Sequence, residues 1–159
     1  MYPCFDVQGI SVERLLHEWK WMAPGKYGLL AVNPFGDLFL KDANGTVHRL
    51  DITGGTISTV AGTEMEFREA AKGAGQRDDW FLQRLAEQAS QKGCSPKKGQ
   101  CVGYKIPTVF KESANVPDNA YVADLYEFVS FMGDLHHQIN DVPDGGQIRL
   151  KIQPRPEHS

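Results

Sequence analysis

The spacing of apolar residues changes several times along the chain, and each change predicts an element. Val12, Leu15, Leu16 and Trp19 recur at helical spacing behind Ser11, a good N-cap, so a helix laying one stripe on a sheet is expected there. Trp21, Met22, Pro24 and Gly25 end it. From Leu29 to Val32 the run is apolar until Asn33-Pro34-Phe35-Gly36, where proline fixes φ and glycine frees it, the grammar of a strand entering a turn. Asp37 to Lys41 carries Leu38, Phe39 and Leu40 in succession, the pattern of a strand covered on both faces. Asn44-Gly45 predicts a type I′ hairpin turn with positive φ at both centres. A third strand, Thr46 to Ile52, and a fourth, Thr56 to Val60, complete a meander around Gly54-Gly55.

Beyond the meander the period becomes helical. Thr63-Glu64-Met65-Glu66 reads as a capping box, and Gly73 and Gly75 are expected to close the short helix it starts. A longer helix is predicted from Asp78 or Asp79 to Gly93, with Phe81, Leu82, Leu85 and Ala89 on one face and Arg84, Glu87, Gln88 and Gln91 on a solvated one. Gln100 to Ile106 is a strand halted by Pro107, and Lys111 to Asn119 a surface loop. Tyr121 to Val129 fits a strand, and Ser130 is expected to cap a final helix to about Asn140 with Phe131, Leu135 and Ile139 inward. Pro143-Asp144-Gly145-Gly146 turns the chain into a closing strand where Ile148, Leu150 and Ile152 alternate with Arg149 and Lys151. The expected fold is α+β: a single domain over residues 11–153, with a mostly antiparallel sheet of about five to seven strands covered by three to four helices. Residues 1–10 form an irregular lead-in and 154–159 a frayed tail.

Composition narrows the function. At 159 residues the chain is long enough to bury a core without staples. Its 17 basic and 20 acidic residues give a formal charge of −3, which argues against a general nucleic-acid binder, because such proteins need basic surface to displace counterions. Cys4, Cys94 and Cys101 are too few and too widely spaced for a disulfide framework or a paired-cysteine zinc site, so free thiols in a reducing compartment are expected. The N-terminus lacks a signal-peptide pattern and no apolar run reaches membrane-spanning length; the expected location is the cytoplasm.

Candidate chemistry is sparse. Gly54-Gly55 lies between strands, and neither GxGxxG nor GxxxxGK[ST] occurs, so no cofactor is expected. Asp134, His137 and Asp141 fall near one face of the last helix and are compatible with a metal site, against which stands the plainer reading of a solvated face with His136 turned partly inward. No GxSxG or cysteine in a catalytic context is present. Tyr104 and Lys105 are candidates for lining a pocket with His136 and His137; the alternative for Lys105 is an edge-strand charge that discourages sheet association. Trp19 and Trp21 fit either the core or a partner hot spot.

Taken in order, FGDLFL, VHRLDITGG, a capped helical pair, GQCVGYKIPTVF and DLYEFVSFMGDLHHQINDVPDG resemble the C-terminal domain of type VI secretion DNase-immunity proteins, over roughly Leu15 to Gly146. The pattern is more distantly similar to the SUKH class of immunity proteins, single α+β units whose sheet presents a surface to different toxins. The resemblance implies binding without catalysis: a cytoplasmic protein that docks on a secreted toxin, such as a nuclease, and blocks it. Two readings from other classes stand beside it, a small-molecule or enzymatic pocket around Tyr104, Lys105, His136 and His137, and a plain oligomerisation module.

Overall fold

Four consecutive strands, joined by short turns, make an antiparallel sheet onto which the helices pack from both sides. The computed structural model describes residues 4–104 and 120–140. β1 (Gly28–Val32), β2 (Leu38–Lys41), β3 (Val47–Asp51) and β4 (Thr56–Ala61) lie in that spatial order. β5 (Gln100–Tyr104) and β6 (Ala120–Asp124) pair antiparallel as a second sheet. With them go α1 (Val12–Leu16), prolonged by a 3-10 turn over His17–Trp19, α2 (Glu64–Ala70), α3 (Ala74–Phe81), α4 (Gln83–Gln91) and α5 (Leu125–Asn140). The chain is one α+β domain, as expected, but its six described strands divide between two sheets and its described helices number five.

Alternation within β2 explains the layering. Leu38 and Leu40 enter a cluster with Leu50, Ile52, Trp19 and the inner side chains of α5, whereas Phe39 joins Phe67, Trp80 and Phe81 from the α2–α3 side. All three β2 residues are fully buried, as a strand covered on both faces requires. Phe35, Ala89, Cys94 and Val102 form a third cluster where α4 meets β5. The second sheet is tied to the first through the turn after β1, where the Val102 N–H donates to the Pro34 carbonyl at 2.7 Å.

That turn is built around two buried polar side chains. Asn33 Oδ1 accepts from the N–H groups of Phe35 and Asp37, both at 3.0 Å, and Asn33 Nδ2 donates to Asp37 Oδ2 and to the Trp80 carbonyl. Asp37 Oδ1 accepts from the Ile52 N–H at 3.1 Å, while Asp37 Oδ2 receives Arg49 Nη2 at 2.9 Å. One short stretch therefore grips β3, the turn after β3, and α3. Burial pushes the Asp37 carboxyl above the ordinary carboxylate range and the charge of Asp51 adds to this, while Arg49 and Asn33 pull it back.

Several local expectations change. Gly45 is at positive φ but Asn44 is not, so the hairpin is a three-residue loop, closed by the Gly45 N–H on the Asp42 carbonyl at 3.0 Å, and not a type I′ turn. Thr63 caps α2 as expected, accepting from the Glu66 N–H at 3.1 Å, while Glu66 reaches one residue further back, to the Gly62 N–H. Gly75 lies inside α3, and the single helix expected from Asp78 to Gly93 is broken at Leu82, which holds φ 52°. Asp78 makes the break workable, because its carboxylate accepts from the Arg84 N–H in the first turn of α4. The expected stripe is thereby split: Phe81 goes to one cluster, Ala89 to another, and Leu85 is exposed. α5 starts at Leu125, not Ser130, because Asp124 supplies the cap through the Glu127 N–H at 3.0 Å. Lys105, Pro107, the loop from Lys111 to Asn119, Asp141, the Pro143 turn, the closing strand and the tail lie outside the described residues.

Removing the Asp37 carboxylate leaves the Ile52 N–H without its acceptor and takes one acceptor each from Arg49 and Asn33. Asp37→Ala is expected to destabilise the domain by about 3 kcal/mol in urea unfolding; a loss within experimental error would show that the network is dispensable.

Candidate functional site

The C-terminal half of α5 packs closely on the segment after α1. Leu125, Phe128, Val129, Met132, Leu135 and His136 turn inward at three- and four-residue spacing. The expected stripe of Phe131, Leu135 and Ile139 is off that line; Leu135 is buried, and Phe131 and Ile139 are half-buried at its margin. Gly133 faces the 3-10 turn so closely that a Cβ there would lie 2.7 Å from the Glu18 carbonyl oxygen and 2.9 Å from the Trp19 ring. The two backbones thus meet at a residue that has to lack a side chain.

This approach sets the aromatic residues. Trp19 is fully buried and its Nε1 donates to the Val129 carbonyl at 2.8 Å, so it belongs to the core and not to a partner-facing hot spot. Trp21 is the indole that reaches the surface; its Nε1 donates to the carbonyls of Glu18 at 3.0 Å and Gly133 at 3.2 Å. His137 stacks on Trp21 with centroids 5.1 Å apart and an interplanar angle of 6°, and Trp21 stacks on Trp19 at 6.1 Å. The row ends in the exposed His137 ring on one side and in the core on the other.

Tyr126, Ser130 and His137 fall on one stripe of α5, four and eleven residues apart. At the Tyr126 and Ser130 end of it lies an open groove of about 450 Å³, lined also by Glu13, Arg14, His17, Glu18 and Lys20. The Arg14 guanidinium lies 3.9 Å above the Tyr126 ring, and the Tyr126 hydroxyl accepts from the Ser11 N–H at 2.9 Å. Aromatic planes, both signs of charge and pre-set hydrogen-bond groups equip such a face to recognise another surface. Arg14 and Tyr126 carry no sequence signal of this role, since only folding brings them together.

Among the described residues, Tyr104 and His136 are not gathered into one pocket. Tyr104 stacks on Phe35 at 6.3 Å, half-buried, with its hydroxyl pushed up by burial and by the charge of Asp37. Phe128 abuts Gly103 beside it, and His136 lies eight residues further along α5, about 12 Å away along the helix axis. His136 is buried against Trp19, its Nε2–H donating to the Ile52 carbonyl at 3.0 Å and facing that of Thr53 at 3.1 Å. Asp134 accepts from Gln138 at 3.1 Å, and among the described residues no three His, Cys, Asp or Glu side chains converge as metal ligands. The three cysteines are free; burial pushes the Cys4 thiol up to about 11 and raises that of Cys101 further. No described helix is long and apolar enough to cross a membrane. No known family model matches the chain, and no curated protein matches it significantly.

Two measurements check this geometry. Alanine ordinarily improves a helix by about 1 kcal/mol over glycine. Gly133→Ala is nevertheless expected to lower stability by about 2 kcal/mol, because the Glu18 backbone cannot step aside cheaply; a stabilised variant would contradict the contact. Burial lowers the His136 pKa from its ordinary 6.5, while its two carbonyl partners and the charge of Asp51 act in the opposite sense. The unfolded chain then takes up a proton that the folded chain resists, so the stability this site contributes is intact above pH 6.5 and lost as pH falls through and below it. His136→Gln is expected to flatten the slope of unfolding free energy against pH below 6.5. An unchanged slope would contradict a buried, neutral imidazole.

Proposed function

We propose that the protein is a non-enzymatic binding protein that neutralises a bacterial toxin, in the manner of the immunity proteins that protect against type VI secretion DNases. The observation that supports this reading is where the segments of the resemblance sit. FGDLFL supplies β2, VHRLD is β3, GQCVGY runs into β5, and DLYEFVSFMGDLHHQIN spans α5. Leu38, Leu40, Leu50, Cys101, Phe128 and Met132, one or two from each segment, meet in one core cluster. These four segments of the resemblance therefore pack as one unit, with Asn33, Asp37 and Gly133 at its joints, while the capped helical pair packs in a second cluster.

On this proposal the partner is a secreted toxin, a nuclease in the first instance, and the protein works in the cytoplasm, where such a toxin acts. The net charge of −3 disfavours nucleic acid itself as the partner. The docking face is the Trp21–His137 row with the neighbouring groove, where a rigid aromatic pair stands beside exposed charges.

Co-expression with toxin-like proteins encoded next to this gene tests the reading. A stable complex and protection from toxicity are expected, and Lys20→Glu with His137→Glu, both at exposed positions, should weaken the complex about tenfold or more while stability changes by less than about 1 kcal/mol. Neither complex nor protection with any such toxin would overturn the proposal; binding untouched by the two substitutions would move the docking face elsewhere.

A further inference from the structure

Asp42, His48 and Thr59 form a hydrogen-bonded row on the first sheet. Asp42 is fixed by the hairpin: its Oδ1 accepts from the N–H groups of Asn44 at 2.8 Å and Thr46 at 3.0 Å. Its Oδ2 lies 2.8 Å from His48 Nε2. Hydrogen bonding to His48, aided by the two loop amides, holds the Asp42 carboxyl below the usual range, so it is ionised at neutral pH and can only accept. In the neutral form of His48 the proton between them sits on Nε2, which leaves the Nδ1 lone pair free. That nitrogen is 3.2 Å from Thr59 Oγ1, across the β3–β4 register in which His48 and Thr59 are partners. The Thr59 hydroxyl then donates to Nδ1.

A carboxylate that orients an imidazole whose free nitrogen receives a hydroxyl proton is the arrangement that turns an alcohol into a nucleophile. The Tyr27 ring stands edge-on to His48 at 6.4 Å and helps to fix its plane. Thr59 is exposed on β4, the outer strand of the described sheet, so an electrophile can reach it. The row carries a negative charge and no cation of its own, which suits an uncharged carbonyl better than a phosphoryl group.

We propose that Thr59 is an acyl-acceptor site, modified by activated esters or thioesters. Thr59 Oγ1 attacks the carbonyl carbon and forms the new C–O bond as its proton passes to His48 Nδ1, and Asp42 stabilises the resulting imidazolium. The bond to the leaving alcohol or thiol then breaks, and the leaving group takes the proton from His48. The products are a Thr59 ester and the free alcohol or thiol, with no change of oxidation state. This site is independent of the docking face and of the toxin-binding proposal.

Incubation of the intact protein with p-nitrophenyl acetate, followed by peptide mass spectrometry, tests it. Ser58 is the internal control: it is an exposed hydroxyl on the same strand, less hindered than a threonine, and its cross-strand partner is Arg49 in place of a histidine. Acetylation of Thr59 is expected to outpace that of Ser58 by about tenfold or more. His48→Gln should abolish that preference, and Thr59→Ser should keep the site reactive. Equal labelling of Thr59 and Ser58 in the unmodified protein would overturn the proposal whether or not the variants fold, and so would a preference that survives in folded His48→Gln.

Discussion

The structure depends on one buried carboxylate. Asp37 receives hydrogen bonds from Asn33, Arg49 and the Ile52 backbone, and through them the turn after β1 is fastened to β3, to the turn that follows it and to α3. Hydrogen bonds to a charged group contribute about 1.5–3 kcal/mol each, and desolvating the carboxylate costs several. The two nearly cancel, so the network adds little net stability while making any other arrangement of these strands expensive. It gives the sheet its register at the point where the second sheet also attaches, through Pro34 and Val102.

A second constraint acts on the opposite face. Gly133 lets α5 touch the 3-10 turn, and the contact decides which aromatic residues are core and which are surface. Trp19 is swallowed, Trp21 is held by two carbonyls at the rim, and His137 is laid flat upon it. The proposed docking face thus rests on the packing beneath it, which spares the protein the entropy of ordering long side chains on binding.

The α+β class, the four-strand meander, the Ser11 and Thr63 caps and the double-sided burial of β2 could all be read from the sequence, because each rests on local periodicity or a local cap. What stayed hidden depends on partners distant in the chain. Phe81, Leu82, Leu85 and Ala89 have the spacing of one helix face, yet two separate clusters compete for them and Asp78 makes a break at Leu82 tolerable. Asp124 takes the cap expected of Ser130, so Tyr126, Phe128 and Val129 are helical despite residue types that favour a strand. Asn33 looked like an ordinary turn residue and Asp37 like the first residue of a strand, and nothing near them in sequence names Arg49 or Trp80 as partners. Of the candidate site residues that are described, Tyr104 is half-buried against Phe35, His136 and Trp19 are buried, and His137 is exposed beside Trp21.

Native-state hydrogen exchange at the amides of Phe35, Asp37 and Ile52 tests the central role of the buried network most directly, since these N–H groups end on Asn33 and Asp37. If the network locks the fold, all three exchange only through global unfolding, with opening free energies within about 1 kcal/mol of the whole domain's stability. Exchange of these amides through local openings several kcal/mol cheaper, while the β2 and β3 amides stay protected, would contradict the account.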